Sequence, residues 1–140
     1  MLGKFLNSVI LKSFNRKGFY IMNKTILTLI ERAGRKGVAK AYSYRGWYGE
    51  KQHVEKYRVE HVCNNWSLCP SDKWYLYHYE TLTATVTAGV GKVEYGESRS
   101  DLDSIETFLI ELTGQAPEMH FYPSKDSFQV VTDGKVTQEF

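Results

Sequence analysis

His61, Cys63, Cys69 and His78 carry imidazole and thiol groups, the donors that zinc accepts, so they are the first residues in this chain to test for chemistry. Structural zinc sites take their ligands in pairs about two to four residues apart. Here five residues separate Cys63 from Cys69, and the two histidines share no motif. The spacing predicts no metal site, and nothing else in the chain asks for a cofactor. Two cysteines are too few for a disulfide framework, so a reduced pair in a cytoplasmic protein is the expectation.

Acid–base chemistry has one candidate. In a strand over 52–62, alternation puts His53, Glu55, Tyr57, Val59 and His61 on one face, and Val54, Lys56, Arg58, Glu60 and Val62 on the other. A small enzyme could draw an acid and a base from His53, Glu55 and His61, but such groups need burial to move their pKa values. Lys56, Arg58 and Glu60 on the opposite face fit a solvated ladder of ion pairs better. Neither 34–37 (GRKG) nor 89–96 (GVGKVEYG) has the spacing or the strand-to-helix setting of a phosphate loop. No nucleophile elbow or paired-carboxylate signature occurs, so catalysis is the least supported reading.

The aromatic residues are the stronger signal. Ten Tyr, seven Phe and three Trp make up 14% of the 140 residues. Tyr42, Tyr44, Trp47 and Tyr48 crowd one stretch together with Arg45, and WYLYHY (74–79) crowds another. Alternation in WYLYHY places Trp74, Leu76 and His78 on one face and Tyr75, Tyr77 and Tyr79 on the other. The first face reads as core and the second as a contact surface, since Tyr, Trp and Arg dominate interface energetics. Stacking of single-stranded bases on Tyr42, Tyr44 and Trp47, with Arg45 and Arg58 on phosphate, is the alternative.

The elements that must position these residues follow from periodicity. Ile26, Leu29, Ile30 and Ala33 repeat at helical spacing after Asn23 as cap, with Gly34 beyond the end, although TILTLI also alternates as a strand would. Strands are expected over 38–45 and over 52–62, the latter exposed on one side or at an edge. One long strand or two follows over 74–88, and another after a turn at Gly89 and Gly91. Leu102, Ile105, Phe108, Leu109 and Leu112 form the stripe of a second helix, with Ser100 as cap, Asp101 and Asp103 at its positive end, and Gly114 after it. Asp133-Gly134 between alternating runs marks a hairpin. The order predicts α+β: a single domain with a largely antiparallel sheet of about five to seven strands and one or two helices on one face.

Residues 1–21 read as a basic amphipathic extension to a globular domain over 22–140. Leu2, Phe5, Leu6, Val9 and Ile10 make its stripe, and Met22 would itself serve as a start. The stretch could be an appendage, a targeting peptide or an interfacial helix. It is too short and too charged to span a bilayer, so no stable membrane insertion is expected. Residues 1–40 carry nine Lys/Arg against Glu31 alone, and the remaining hundred carry nine basic and fifteen acidic residues. Such a basic arm on an acidic body makes the body a poor grip for a phosphate backbone.

The stretch 79–114 resembles small accessory proteins of phages and other mobile elements. In those, a Tyr-x-Thr-Leu hairpin leads through a capped serine pair into a helix ending Phe-Leu-x-x-Leu-x-Gly. Tyr79, Thr81, Leu82, Ser98, Ser100, Asp101, Ile105, Phe108, Leu109, Leu112 and Gly114 stand at those places. The resemblance covers about a quarter of the chain and carries no catalytic residue across. It implies a protein that binds and inhibits a host protein inside the host cytoplasm, blocking of a CRISPR nuclease being one form of such anti-defence activity. An acidic body with an aromatic patch would suit mimicry of nucleic acid on a basic host protein. The reading is therefore a non-enzymatic binding protein acting through an aromatic and acidic sheet face. Its expected contacts are Tyr42, Tyr44, Arg45, Trp47, Tyr48, Tyr75, Tyr77 and Tyr79; nucleic acid is the less favoured partner.

Overall fold

The computed structural model describes residues 22–45, 52–63 and 72–140. The chain order is helix α1 (Lys24–Lys36), then strands β1 (Val38–Arg45), β2 (Gln52–Val62), β3 (Lys73–His78), β4 (Thr81–Thr87) and β5 (Val90–Val93). Helix α2 (Arg99–Thr113), strand β6 (Glu118–Tyr122), a 3-10 turn (Pro123–Lys125), and strands β7 (Ser127–Thr132) and β8 (Lys135–Glu139) complete it. The first five strands form one sheet in sequence order, the last three form a second, and all pairings are antiparallel. The architecture is α+β, with strand β6 unannounced by the sequence reading. The amphipathic extension of 1–21 lies outside the described residues.

One row of the larger sheet shows where its core lies. Ala39, Val59, Leu76, Ala84 and Val93 stand opposite one another across all five strands, and all are buried. Ile26, Leu29, Ile30 and Ala33 of α1 close over β1 and β2, while Leu102, Ile105, Phe108 and Leu109 of α2 close over β3, β4 and β5. Each such side chain contributes about 1.5–3 kcal/mol by leaving water. Gly91 lets α2 come down onto β5: a Cβ there would lie 2.7 Å from Leu109 Cδ2. Phe128 of β7 joins the same core, its ring against Gly96.

Each helix has one terminus that differs from the expectation. In α1 the Asn23 side chain accepts from the Ile26 N–H as expected, but the helix runs through Gly34 and stops at Gly37, whose φ of 88° is the conformation only glycine takes freely. In α2 the cap is Ser98 rather than Ser100. Ser98 Oγ accepts from the Asp101 N–H at 3.2 Å, and the Asp101 carboxylate returns to the Glu97 N–H at 2.9 Å. This reciprocal arrangement starts the helix two residues earlier than a cap at Ser100 would. Gly114 ends it as expected.

Strand β2 is not an edge. It pairs with β1 on one side and β3 on the other, and its Tyr57 and Val59 are buried. Residues 74–88 form two strands, β3 and β4, joined by a two-residue turn at Tyr79 and Glu80. Both turn residues have positive φ, 47° and 67°.

Candidate functional site

The geometry of the larger sheet turns on Lys56. Ala41 stands opposite Tyr57, but Tyr42 stands opposite Glu55, so β2 has one residue more than β1 at this point. Such a bulge reverses which face the following side chains take. Beyond it Glu55 and His53 share a face with Arg58 and Glu60, away from the helices. Glu55 Oε2 accepts from Arg58 Nη1 at 2.9 Å, and Lys40 Nζ lies 3.6 Å from Glu55 Oε1. This corrects the sequence expectation that His53, Glu55 and His61 share one face. His61 faces inward with Val59, stacks on Trp74 at 4.0 Å, and hydrogen-bonds Asp72, which also accepts from Trp74 Nε1 at 3.2 Å. The proposed catalytic face is thus split by the bulge.

The tyrosines reach the same face by the alternation of their own strands, and the bulge adds His53 to them. Val38, Lys40, Tyr42 and Tyr44 alternate outward on β1, where Tyr42 is 50% and Tyr44 70% exposed. Tyr42 stacks on His53 at 4.4 Å, and Tyr44 lies 5.2 Å from the same imidazole. On β3 the two faces lie as alternation predicts: Leu76 and His78 are buried, Trp74 edges the core, and Tyr75 and Tyr77 point outward beside Glu60 and Arg58. The Arg58 guanidinium lies 4.1 Å from the Tyr77 ring centre, and its Nε sits 2.9 Å from Glu60 Oε2. No described helix packs on this face. Tyr42, Tyr44, Tyr75 and Tyr77, drawn from two separate stretches of sequence, therefore form one outer surface.

Four expected contacts are not part of this surface as described. Arg45 ends β1 opposite Gln52, while Trp47 and Tyr48 lie outside the described residues. Tyr79 does not continue the row of Tyr75 and Tyr77, because β3 stops at His78; its ring tilts against His78 at 4.7 Å instead. The outer surface is also not acidic. Lys40, Arg58, Lys73 and Lys92 stand there with Glu55, Glu60 and Glu94, and Lys40, Arg58 and Lys92 are ion-paired. Charge on this face is largely satisfied within it.

A second polar cluster was missed by the sequence reading. His78 Nδ1 donates to Asp101 Oδ1 at 2.6 Å, with the two side chains only 9% and 5% exposed. Tyr57 stacks on the imidazole at 4.5 Å. Burial alone would raise the Asp101 carboxyl, but the bond from His78, the Glu97 N–H, the nearby His78 charge and the Ser98 hydroxyl outweigh it and hold the pKa below the ordinary value of 3.8. Burial raises the Tyr57 phenol, against hydrogen bonds with Ser104 and Asn23. His78 and Asp101 line a cavity of about 480 Å³ with Lys56, Thr81, Tyr95 and Ser98. A carboxylate-oriented imidazole is the arrangement of a general base, yet His78 Nε2 is buried and makes no hydrogen bond. As it stands the pair ties β3 to the start of α2. The Ser-x-x-Asp spacing of Ser98 and Asp101 was its only sequence signal; nothing pointed to His78 as the partner.

The cysteines also depart from expectation. Cys63 is disulfide-bonded rather than reduced; the other cysteine of the chain, Cys69, lies outside the described residues. Val62 pairs with Lys73, so the connection that leaves β2 returns beside its own start. His61 and His78 face Trp74 and Tyr57 respectively, several positions apart along β2, so the two histidines do not converge. Among the described residues no three metal-binding side chains cluster, and no helix is long and apolar enough to cross a membrane.

Comparison with family models, curated proteins and solved structures finds no match for this chain.

Proposed function

We propose that this chain is a non-enzymatic binding protein that engages a partner protein through the outer face of its five-stranded sheet. The observation that carries this reading is that Tyr42, Tyr44, Tyr75 and Tyr77 share the sheet face on which no described helix packs. Tyrosine gives large contact area for little lost rotamer freedom, and pairs of rings already stacked are preorganised to bind. The resemblance over 79–114 supports an accessory role of phage or mobile-element type, in which the partner is a host protein and binding inhibits it, a CRISPR nuclease being one such target.

The state of the charges argues against the nucleic-acid alternative. Phosphate binding needs cations free to replace counterions. Arg58 is committed to Glu55, Glu60 and the Tyr77 ring, and Lys40 to Glu55. A protein surface with its own apolar and polar patches suits this face better than a polyanion.

The test is affinity capture from host lysate with wild-type protein, followed by titration of the captured protein against Tyr42→Ala/Tyr44→Ala and Tyr75→Ala/Tyr77→Ala. Both double variants are expected to weaken binding by about tenfold or more while leaving the fold intact. Undiminished binding by both would remove the outer face as the site. Binding to a random oligonucleotide is expected to be absent; tight binding with a steep salt dependence would support the alternative.

A further inference from the structure

Strand β1 is an edge of the larger sheet: among the described residues only β2 pairs with it. It runs for eight residues, against four in β5 at the opposite edge. Natural sheets blunt such edges with proline, inward-pointing charge or shortness. Val38–Arg45 contains no proline, and its inward positions from Ala39 to Ser43 carry no charge. Ser43 Oγ is buried and makes no hydrogen bond. No described strand covers this edge.

Helix α1 determines what that strand must carry. A Cβ at Gly34 would touch Trp74 of β3 at 3.6 Å, so that flank of α1 faces the middle of the sheet. Arg32 and Lys36 lie two residues either side of Gly34, about 200° round the helix, and so flank the β1 edge. Both are exposed, and among the described residues neither has a carboxylate partner. Residues 22–45 hold Lys24, Arg32, Arg35, Lys36, Lys40 and Arg45 against Glu31, a balance of +5, while the other described residues carry seven Lys/Arg and fourteen Asp/Glu. The net positive part of the described chain is thus α1 and β1, and Arg32 and Lys36 are its basic residues on the β1 flank of the helix.

We infer that the β1 edge accepts an extended acidic peptide strand, which adds to the sheet with carboxylates on its helix side, toward Arg32 and Lys36, and apolar side chains on its outer side, against Tyr42 and Tyr44. Main-chain hydrogen bonds supply affinity in this mode, and alternate side chains supply specificity. A second copy of this chain is disfavoured, because antiparallel pairing of two β1 strands sets basic edge against basic edge. A nucleic acid offers no strand backbone to pair and meets a net acidic body. The inference rests on the outer face as the docking surface and names the chemistry of the partner segment that reaches its margin.

The experiment uses the full chain with a short synthetic peptide alternating Glu with Val, its counterpart with Lys for Glu, and an oligothymidylate. It adds the Glu peptide N-methylated at alternate residues in either frame. Fluorescence anisotropy reads binding, and amide hydrogen exchange reads protection of Val38–Arg45. The Glu peptide is expected to bind, to slow exchange in β1, and to lose binding on N-methylation in only one frame. Arg32→Glu with Lys36→Glu should weaken it by about tenfold or more at low salt, with the thermal midpoint unchanged, because both side chains are exposed. The inference is overturned if the Glu peptide does not bind, if the Lys peptide binds as well, if β1 gains no protection, or if neither frame matters. It is equally overturned if oligothymidylate displaces the peptide, or if the peptide-free chain is already a dimer with β1 protected. Failure here leaves the outer-face reading standing, since partner binding tested through Tyr75 and Tyr77 does not involve Arg32 or Lys36.

Discussion

The Tyr42 ring stacks on the His53 imidazole at 4.4 Å and 30°, although in an unbroken β2 the two would lie on opposite faces of the sheet. The contact exists because Lys56 stands out of register and turns His53 outward. A single extra residue thus decides whether His53 joins a polar core or an aromatic surface.

A double-mutant cycle with Tyr42→Ala and His53→Ala measures this contact. The coupling is expected at about 0.2–1 kcal/mol, the range of cross-strand pairs. Each single variant should cost less than about 1 kcal/mol by urea unfolding, since both positions are exposed. A coupling of zero would mean that the stacking is not maintained in solution.

The two faces of β3 should respond oppositely to truncation. Leu76→Ala removes a fully buried side chain from the middle row of the sheet and is expected to cost about 2–5 kcal/mol. Tyr75→Ala and Tyr77→Ala should cost about 1 kcal/mol or less, even though Tyr77 loses its contact with Arg58. Unfolding of the tyrosine variants would show that this face is covered in the folded protein.

Asp101 gives a pH dependence with a definite sign. Its folded-state pKa lies below the ordinary 3.8, so its ionised form stabilises the fold above that pH, and this contribution is lost as pH falls through the depressed folded value. Asp101→Asn should therefore lower the melting temperature at neutral pH, and the gap from wild type should narrow below about pH 4. A gap that widens on acidification would contradict the paired carboxylate.

Glycine and non-glycine turn positions offer two opposite tests. Glu80 has a φ of 67° in the two-residue turn between β3 and β4, so Glu80→Gly should stabilise by up to about 1 kcal/mol by relieving backbone strain. In contrast, Gly96→Ala would set a Cβ 2.7–2.8 Å from three atoms of the buried Phe128 ring and is expected to cost about 1–3 kcal/mol. Thermal or urea unfolding of the two variants gives both signs. A neutral Gly96→Ala would show that β7 can shift away from the core.

What the sequence determined by itself was whatever depends on near neighbours along the chain. The apolar spacing of 26–33 and 102–112 fixes two amphipathic helices, because i, i+3 and i+4 side chains share a face whatever lies opposite. Asn23 and Gly114 act as caps, and Asp133-Gly134 makes its hairpin, through bonds that close within a few residues. The faces of WYLYHY up to His78 follow from the pleat alone. Tertiary structure decided the rest, because those relationships depend on which residue comes opposite across a strand pair. The Lys56 bulge is a property of the β1–β2 register and not of β2 alone; it broke up the His53, Glu55, His61 face and turned His53 toward Tyr42, while strand pairing brought the tyrosines of β1 and β3 onto one face. His78 and Asp101 are twenty-three residues apart and meet only once α2 is laid on β3. Arg32 and Lys36 come to flank β1 only because Gly34 turns toward Trp74. Local periodicity specifies the elements; the pairing of distant backbones, which it does not encode, specifies the surfaces they make.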